Sequence, residues 1–424
     1  MNDVLKYYSK NNLLTNRKLK EVASLYELDN KKLLEKYNDA FIALVKSAMK
    51  NSTFYKKLYR EHGISMRDIK DLSDITKLPV LTKNDIKNHV DDIYHGSKLL
   101  KSVGYTSGTT GSPLTIFRSP LNVVTEQAYV RHYRSMHGYK LGQPLLAIRG
   151  MLDRNTTHKF NKKSNILYIS SPNINAGTIE FYHGLIKEFA PVAVEAFPSY
   201  LHHLSTEMKK KGLSCHIPNA FTSSETLYGF QRESIEAFLG TKIHDWYGNA
   251  ERTILLAQNN QDEYYPLPLY SINEFGKDEI ITTALNNIKF PFIRYKVEDK
   301  IVVEGGDMMQ NIVSPKIVSI EGRASETIDL KDGSIVGCID HAFKGVSNLD
   351  AAQVHQYSVD RPLDVILVVT PAFGEPDLNI IRTKMTNMVG KDMPFTFRYG
   401  KYEDLTFSGN NKFKLLVKHN KPRV

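Results

Sequence analysis

Residues 105–114 read YTSGTTGSPL, a run of Ser, Thr and Gly closed by Pro113. Such a run offers backbone N–H donors, hydroxyl donors and close backbone approach, the groups that wrap oligophosphate oxygens. Glycine matters in a cradle of this kind because a side chain would block the approach or forbid the required dihedrals. The same composition also makes an ordinary surface turn. The stretch does not fit G-x-x-x-x-G-K-[ST], because Gly111 is followed by Ser112 and Pro113 and no lysine. A P-loop of the kinase or GTPase type is therefore excluded, and no G-x-G-x-x-G dinucleotide fingerprint stands here. If this is a phosphate cradle, its cation and its metal-binding carboxylate must come from distant parts of the chain.

Residues of the required types do occur at a distance. HDWYGNAER (244–252) sets Tyr247, Gly248 and Glu251 within five positions, and FIRYKVEDK (292–300) contains Arg294 and Asp299. EGRAS (321–325) contains Arg323, and SGNNKFK (408–414) contains Lys412. In this order the segments resemble the adenylate-forming superfamily of acyl-CoA synthetases and adenylation domains. NSTFYKKLYREHGIS, DLSDITKLPVLTKNDIK, AFPSYLHHLS and the absent lysine after SGTTGSP resemble its phenylacetate–coenzyme A ligase branch. The tail GNNKFKLLVKH is similar to the capsular-polysaccharide-associated, CapK-like members. The resemblance runs from about Asn51 to Lys418. Each motif alone is weak to moderate, and the ordered set carries the resemblance.

The resemblance implies an ATP- and Mg²⁺-dependent ligase that activates a carboxylic acid as an acyl-adenylate, releases pyrophosphate and passes the acyl group to an acceptor. Coenzyme A is the simplest acceptor; an amine or a hydroxyl compound is the alternative, and a catalytically inactive binding subunit is the rival. Thr106, Ser107, Gly108, Thr109, Thr110 and Gly111 would hold the β- and γ-phosphates. Tyr247 would stack on adenine beside Gly248, Glu251 would hold Mg²⁺, Asp299 the ribose, and Arg323 the nucleotide near the ribose. Lys412, with Lys414 as its rival, would be the catalytic cation, shielding charge as the carboxylate attacks. Glu225 matches a glutamate beside the acyl pocket, and it is grouped here with the nucleotide contacts. Three positions depart from the family pattern: Ala250 where Thr is common, Glu298 where Gly is usual, and Ser325 at the hinge. Lone histidines His132, His137 and His244 read as structural, Tyr200 as core, and Arg149 and Arg154 as members of surface pairs.

Patterning outlines the elements that must position these groups. Residues 1–70 read as a helical lead-in, with apolar residues at three- and four-residue spacings and a stop at Gly63. Thr82 with Asp85 reads as a helix start. PLLAIRG, SNILYIS and PVAVEAFP read as buried strands alternating with helical GTIEFYHGLIKEFA and PSYLHHLSTEMKKKG, which points to a layered α/β core. DEIITTAL, FPFIRYKV and DKIVVEGG suggest a more antiparallel region, which the resemblance makes a distorted, barrel-like part. LDVILVVTPAF, EPDLNIIRTKMTNMVGKD and PFTFRYGKYEDL outline a small α+β domain. The expected division is 1–322 for ATP and acid, and 323–424 for a mobile C-terminal domain.

Composition narrows the class. The chain has 424 residues, with 41% hydrophobic and 24% charged, which suits a folded core rather than disorder. The net charge of +10 comes from lysines spread along the chain with no aromatic-interleaved basic run, so solvated lysines are favoured over a nucleic-acid partner. Two cysteines, Cys215 and Cys338, form no disulfide frame or zinc spacing. The N-terminus lacks an apolar core and no apolar run of spanning length occurs. The expectation is a cytoplasmic monomer or homodimer without a membrane partner.

Overall fold

The structure is a computed structural model. It describes residues 12–105, 114–149, 152, 156–276, 279–297, 299–321, 328–331, 335–336, 339–343, 346, 348–407 and 413–419. Contacts divide the chain into two compact units, Met1–Gln143 with His244–Ile320, and Pro144–Ile243 with Glu321–Val424.

The first unit opens with helices α1 (Leu13–Leu25), α2 (Asn30–Asn51) and α3 (Thr53–Glu61). Each starts where a short polar side chain caps it: Asn12, Asp29 and Ser52 accept from the N–H groups of Thr15, Lys32 and Tyr55. The apolar stripe of α2, Leu33, Tyr37, Phe41, Leu44, Val45 and Ala48, is buried. A 3₁₀ turn at Leu72–Lys77 and the short helices α4 (Lys83–Asn88) and α5 (Val90–Ile93) follow. Thr82 and Asp85 cap α4 reciprocally, as their spacing predicts. The hairpin β1 (Ser102–Tyr105) and β2 (Thr115–Arg118) leads into α6 (Pro120–Met136), started by Ser119 and Pro120.

The chain then builds the α/β layer of the second unit: β3 (Leu145–Arg149), β4 (His158–Asn161), β5 (Ile166–Ser170), α7 (Ile179–Phe189), β6 (Ala193–Ala196), α8 (Pro198–Lys210), β7 (Asn219–Ser223) and α9 (Gly229–Leu239). Its strands lie in the order β7–β6–β3–β5–β4. All neighbours are parallel except β4 against β5. Strands β3 and β6 are buried on nearly every residue, as strands within a parallel sheet are. The core here includes Leu146, Ile148, Ile169, Val194, Leu201 and Tyr200, which is a core residue as its pattern predicts.

Strand β8 (Lys242–Gly248) carries the chain back to the first unit, where it pairs antiparallel with β9 (Leu255–Gln258), itself antiparallel to β10 (Tyr264–Pro266). The antiparallel region comprises β11 (Ser271–Phe275), β12 (Ile280–Ala284) and β13 (Tyr295–Val297), then β14 (Lys300–Val303), α10 (Met308–Val313) and β15 (Ile317–Glu321). The long core of this unit joins the lead-in helices to Phe290, Phe292 and Tyr295.

The C-terminal part has β16 (Ile328–Asp329), β17 (Ile335–Val336), β18 (Leu349–Gln356), β19 (Leu363–Val369), α11 (Glu375–Val389), β20 (Phe395–Tyr399) and β21 (Leu416–Lys418). Four of these form a sheet in the order β20–β19–β18–β21. Ile381, Met385 and Val389 of α11 lie in the same core as Val354, Val365 and Leu367 of the sheet.

Candidate active site

The stretch from Thr106 to Pro113, which holds the six expected phosphate-loop residues, lies outside the described residues. Its two flanks are described. Tyr105 pairs with Thr115 and Ser102 with Arg118, so the stretch leaves and returns to one antiparallel hairpin. Arg118 stands at the far end of β2, but its guanidinium folds back over Gly104. A Cβ on Gly104 would come within 2.5 Å of Arg118 Cζ, so glycine is needed for this approach.

Tyr247 and Gly248 end β8, and a tight turn returns the chain to β9. Asn249 builds the turn: its side chain accepts from the N–H of Thr253 at 2.9 Å and donates to the Thr253 hydroxyl at 2.7 Å. Arg252 takes a left-handed conformation with φ 60°, uncommon for a residue with a Cβ. The turn thereby presents Glu251 and Arg252 beside the end of the strand. A Cβ on Gly248 would press on Leu255 and the Ile254 carbonyl at 3.1 and 3.2 Å.

Asp299 comes from another element, the turn after β13, and it meets Tyr247: the phenol donates to Oδ2 at 2.6 Å. Tyr295 joins the other acid. Its ring is buried in the core and its hydroxyl donates to Glu251 Oε1 at 3.3 Å. Two tyrosine–carboxylate bonds thus hold Tyr247, Glu251 and Asp299 in one neighbourhood, although more than 40 residues separate β8 from Asp299 in the chain. Tyr295 escapes sequence reading because its aromatic body is indistinguishable there from the core phenylalanines Phe290 and Phe292.

Behind the turn, Arg118 donates to the Ala250 carbonyl at 2.9 Å, so the position where the family pattern has Thr is held through its backbone. Glu126 of α6 accepts from Tyr270 at 2.7 Å and lies 3.7 Å from Arg252 Nε. Burial first, and then the charge of Arg252, lower the pKa of Arg118. Arg294, noted beside Asp299 in the sequence, proves structural. It makes a two-pronged pair with Glu274 at 2.9 and 3.0 Å and donates to the carbonyls of Thr76 and Leu78.

Glu225 lies in the second unit, just after β7. Ser224 before it has φ 72°, a left-handed turn that directs the glutamate. Its carboxylate accepts from the N–H of Ser199, at the start of α8, at 3.3 Å and from the N–H of Phe413 at 2.8 Å. Arg323, Ser325 and Lys412 lie outside the described residues, as does Glu298. Lys414 is exposed, and its carbonyl accepts from Gln353 at 2.7 Å. Arg149 pairs with Glu195 at 2.7 Å, and Arg154 is outside the described residues. His137 and His244 stack at 3.7 Å, and His132 packs on Tyr26.

No group of three or more metal-binding side chains occurs among the described residues. A lone carboxylate such as Glu251 suits Mg²⁺, which takes one or two protein carboxylates and completes its shell with water and phosphate oxygens. No helix among the described residues is long and apolar enough to cross a membrane.

No family model matches the chain. Protein CapK of Staphylococcus aureus is 23% identical over 413 residues, covering 93% of this chain and 88% of that protein. The phenylacetate–coenzyme A ligase of Aromatoleum evansii is 23% identical over 279 residues, 60% of this chain and 63% of the relative. Among solved structures, 2-hydroxyisobutyryl-CoA ligase in a postadenylation state with an acyl-AMP superposes with a TM-score of 0.68. That match has 16% identity and covers 92% of this chain and 89% of the other. The chain is thus similar to CapK over nearly its whole length and to phenylacetate–coenzyme A ligases over part of it, and it has the fold of the adenylate-forming acyl-CoA ligases.

Proposed function

We propose that this protein is an AMP-forming ligase that activates an organic acid with ATP and passes the acyl group to coenzyme A. The observation that carries the reading is the bond between Tyr247 and Asp299, which sets an aromatic face and a carboxylate side by side. In this reading Tyr247 stacks on adenine along Gly248 and Asp299 accepts from the ribose hydroxyls. The segment 106–111 and Arg323 hold the rest of the nucleotide, and Glu251 holds Mg²⁺. The ion, when bound, supplies positive charge at the phosphate oxygens. A carboxylate oxygen of the acid attacks the α-phosphorus, the bond to the β-phosphate oxygen breaks, and pyrophosphate leaves. The thiol of coenzyme A, losing its proton, then attacks the acyl carbon and AMP leaves.

Lys412 is the proposed cation for the first step, and residues 323–424 are proposed to move between the two steps, with Ser325 at the hinge. Most of the work is positioning and charge shielding. The similar proteins include coenzyme A ligases, which favours a thiol acceptor over an amine or a hydroxyl compound. A cytoplasmic location fits a chain that uses ATP and coenzyme A.

ATP–pyrophosphate exchange across a panel of acids, beginning with phenylacetate and 2-hydroxyisobutyrate, tests the first half. Mass spectrometry of products formed with coenzyme A or with amines tests the second. Exchange with an acid and a coenzyme A thioester are the expected results. An amide or ester product would move the acceptor, and neither exchange nor ATP binding would leave only a binding subunit.

A further inference from the structure

Arg118 and Arg252 stand on different elements, yet Arg118 donates to the Ala250 carbonyl at 2.9 Å and so reaches the turn that carries Arg252. Like charges held together in a partly buried place are costly unless an anion sits with them. Glu126 Oε1 forms an ion pair with Arg252 Nε at 3.7 Å, beyond hydrogen-bond distance, and the other Glu126 oxygen accepts from Tyr270. Arg118 spends one nitrogen on the neutral carbonyl of Ala250. Arg118 Nε and Arg252 Nη1 are buried with no hydrogen-bond partner among the described residues.

The position indicates which anion. Arg118 lies over Gly104, directly before Tyr105 and the Ser/Thr/Gly stretch, and Arg252 directly follows Glu251. We propose that Arg118 and Arg252 form a guanidinium pair that binds the oligophosphate end of ATP and retains the pyrophosphate leaving group. The proposal rests on the ATP-dependent ligase reading and adds two residues to it. Planar guanidinium groups suit phosphate oxygens because two parallel N–H donors match two oxygens. Arg252 takes its left-handed conformation in the same turn that holds Glu251.

Calorimetric titration of the intact protein with Mg-ATP, inorganic pyrophosphate and adenosine tests the pair without knowledge of the acid. Arg118→Gln and Arg252→Gln should each weaken pyrophosphate and ATP roughly 10-fold, as loss of a charged hydrogen bond does, while adenosine binds as before. Arg118→Lys and Arg252→Lys, which keep the charge and the fold, should lose less. Unchanged pyrophosphate and ATP affinity in both Gln variants would overturn the proposal and leave the arginines to packing or to the acid. Equal weakening of adenosine would also overturn it, by showing general damage to the pocket. If the unaltered protein binds none of the three, the ligase reading itself fails, a result distinct from either outcome.

Discussion

The phenol of Tyr247 does two jobs that one substitution separates. Its ring offers a flat face for a base, and its hydroxyl fixes Asp299 at 2.6 Å. Tyr247→Phe keeps the face and frees the carboxylate. A hydrogen bond to a charged group is worth about 1.5–3 kcal/mol, of which part is recovered by water at a half-exposed site. The expected result is an ATP KM raised about 3- to 10-fold with kcat little changed, measured by pyrophosphate release. Tyr247→Ala should add a further loss, because the face goes too. A Tyr247→Phe enzyme identical to the parent would show that the bond does not order Asp299. At this scale Ala250 also changes meaning. Its carbonyl is tied to Arg118, which couples the turn to the hairpin.

At the scale of elements, helix α8 stands out, because every residue from Pro198 to Met208 is buried although Ser, His, Thr and Glu are among them. Polar groups in such a place need partners. His202 donates Nε2–H to the Asp350 carbonyl at 2.5 Å, and His203 donates to the Ile174 carbonyl at 2.8 Å while stacking on Tyr402 at 3.8 Å. Burial, the largest cause, lowers the pKa of both rings below the ordinary 6.5, against the opposing pull of the Asp350 and Ile174 carbonyls. The unfolded chain then takes up protons before the folded one does, so stability is full above pH 6.5 and is lost as the pH falls below it. Urea unfolding at pH 7.5 and 5.5 should show this loss, and His202→Gln with His203→Gln should flatten the dependence. An equal slope in the double variant would refute the assignment.

The same helix begins at the carboxylate of Glu225, which joins it to Phe413. If Glu225 seats the segment that follows Lys412, Glu225→Ala should slow pyrophosphate release about 10-fold while the KM for ATP stays within about 2-fold, as loss of charged hydrogen bonds implies. A raised KM with unchanged kcat would instead favour the nucleotide-binding role expected from the sequence.

For the whole molecule, the consequence lies in how the cores are shared. Tyr228 and Phe230, on or beside α9, belong to a core made mainly by residues 328–416. A fragment ending at residue 322 would therefore expose two large aromatics that the full chain buries. Calorimetry should find it less stable than the full chain and prone to association. A fragment as stable and monodisperse as the parent would show that this shared core contributes little. The +10 charge belongs at this scale as well. Many of its lysines are exposed and several pair with nearby acids along a helix, such as Lys18 with Glu21, and Lys57 with Glu61.

Much of this was legible in the residues themselves. Apolar period and caps dictate local form, so the lead-in helices, the α4 cap at Thr82 and Asp85, and the strands around 145–149, 166–170 and 193–196 follow from patterning. The ordered motifs pointed to the fold and to Tyr247, Glu251 and Asp299 as neighbours-to-be. What patterning does not contain is which side chain reaches which across the fold, because such contacts depend on chain reversals far apart in sequence. Only the tertiary structure bonded Tyr247 to Asp299 and Tyr295 to Glu251, tied Arg294 to Glu274, and set Glu225 on Phe413. It also brought Arg118 to the turn that carries Arg252, two cations that look in the sequence like any others among 56. Local chemistry is written in the chain one residue at a time, and a site exists only where folding closes the distance between its parts.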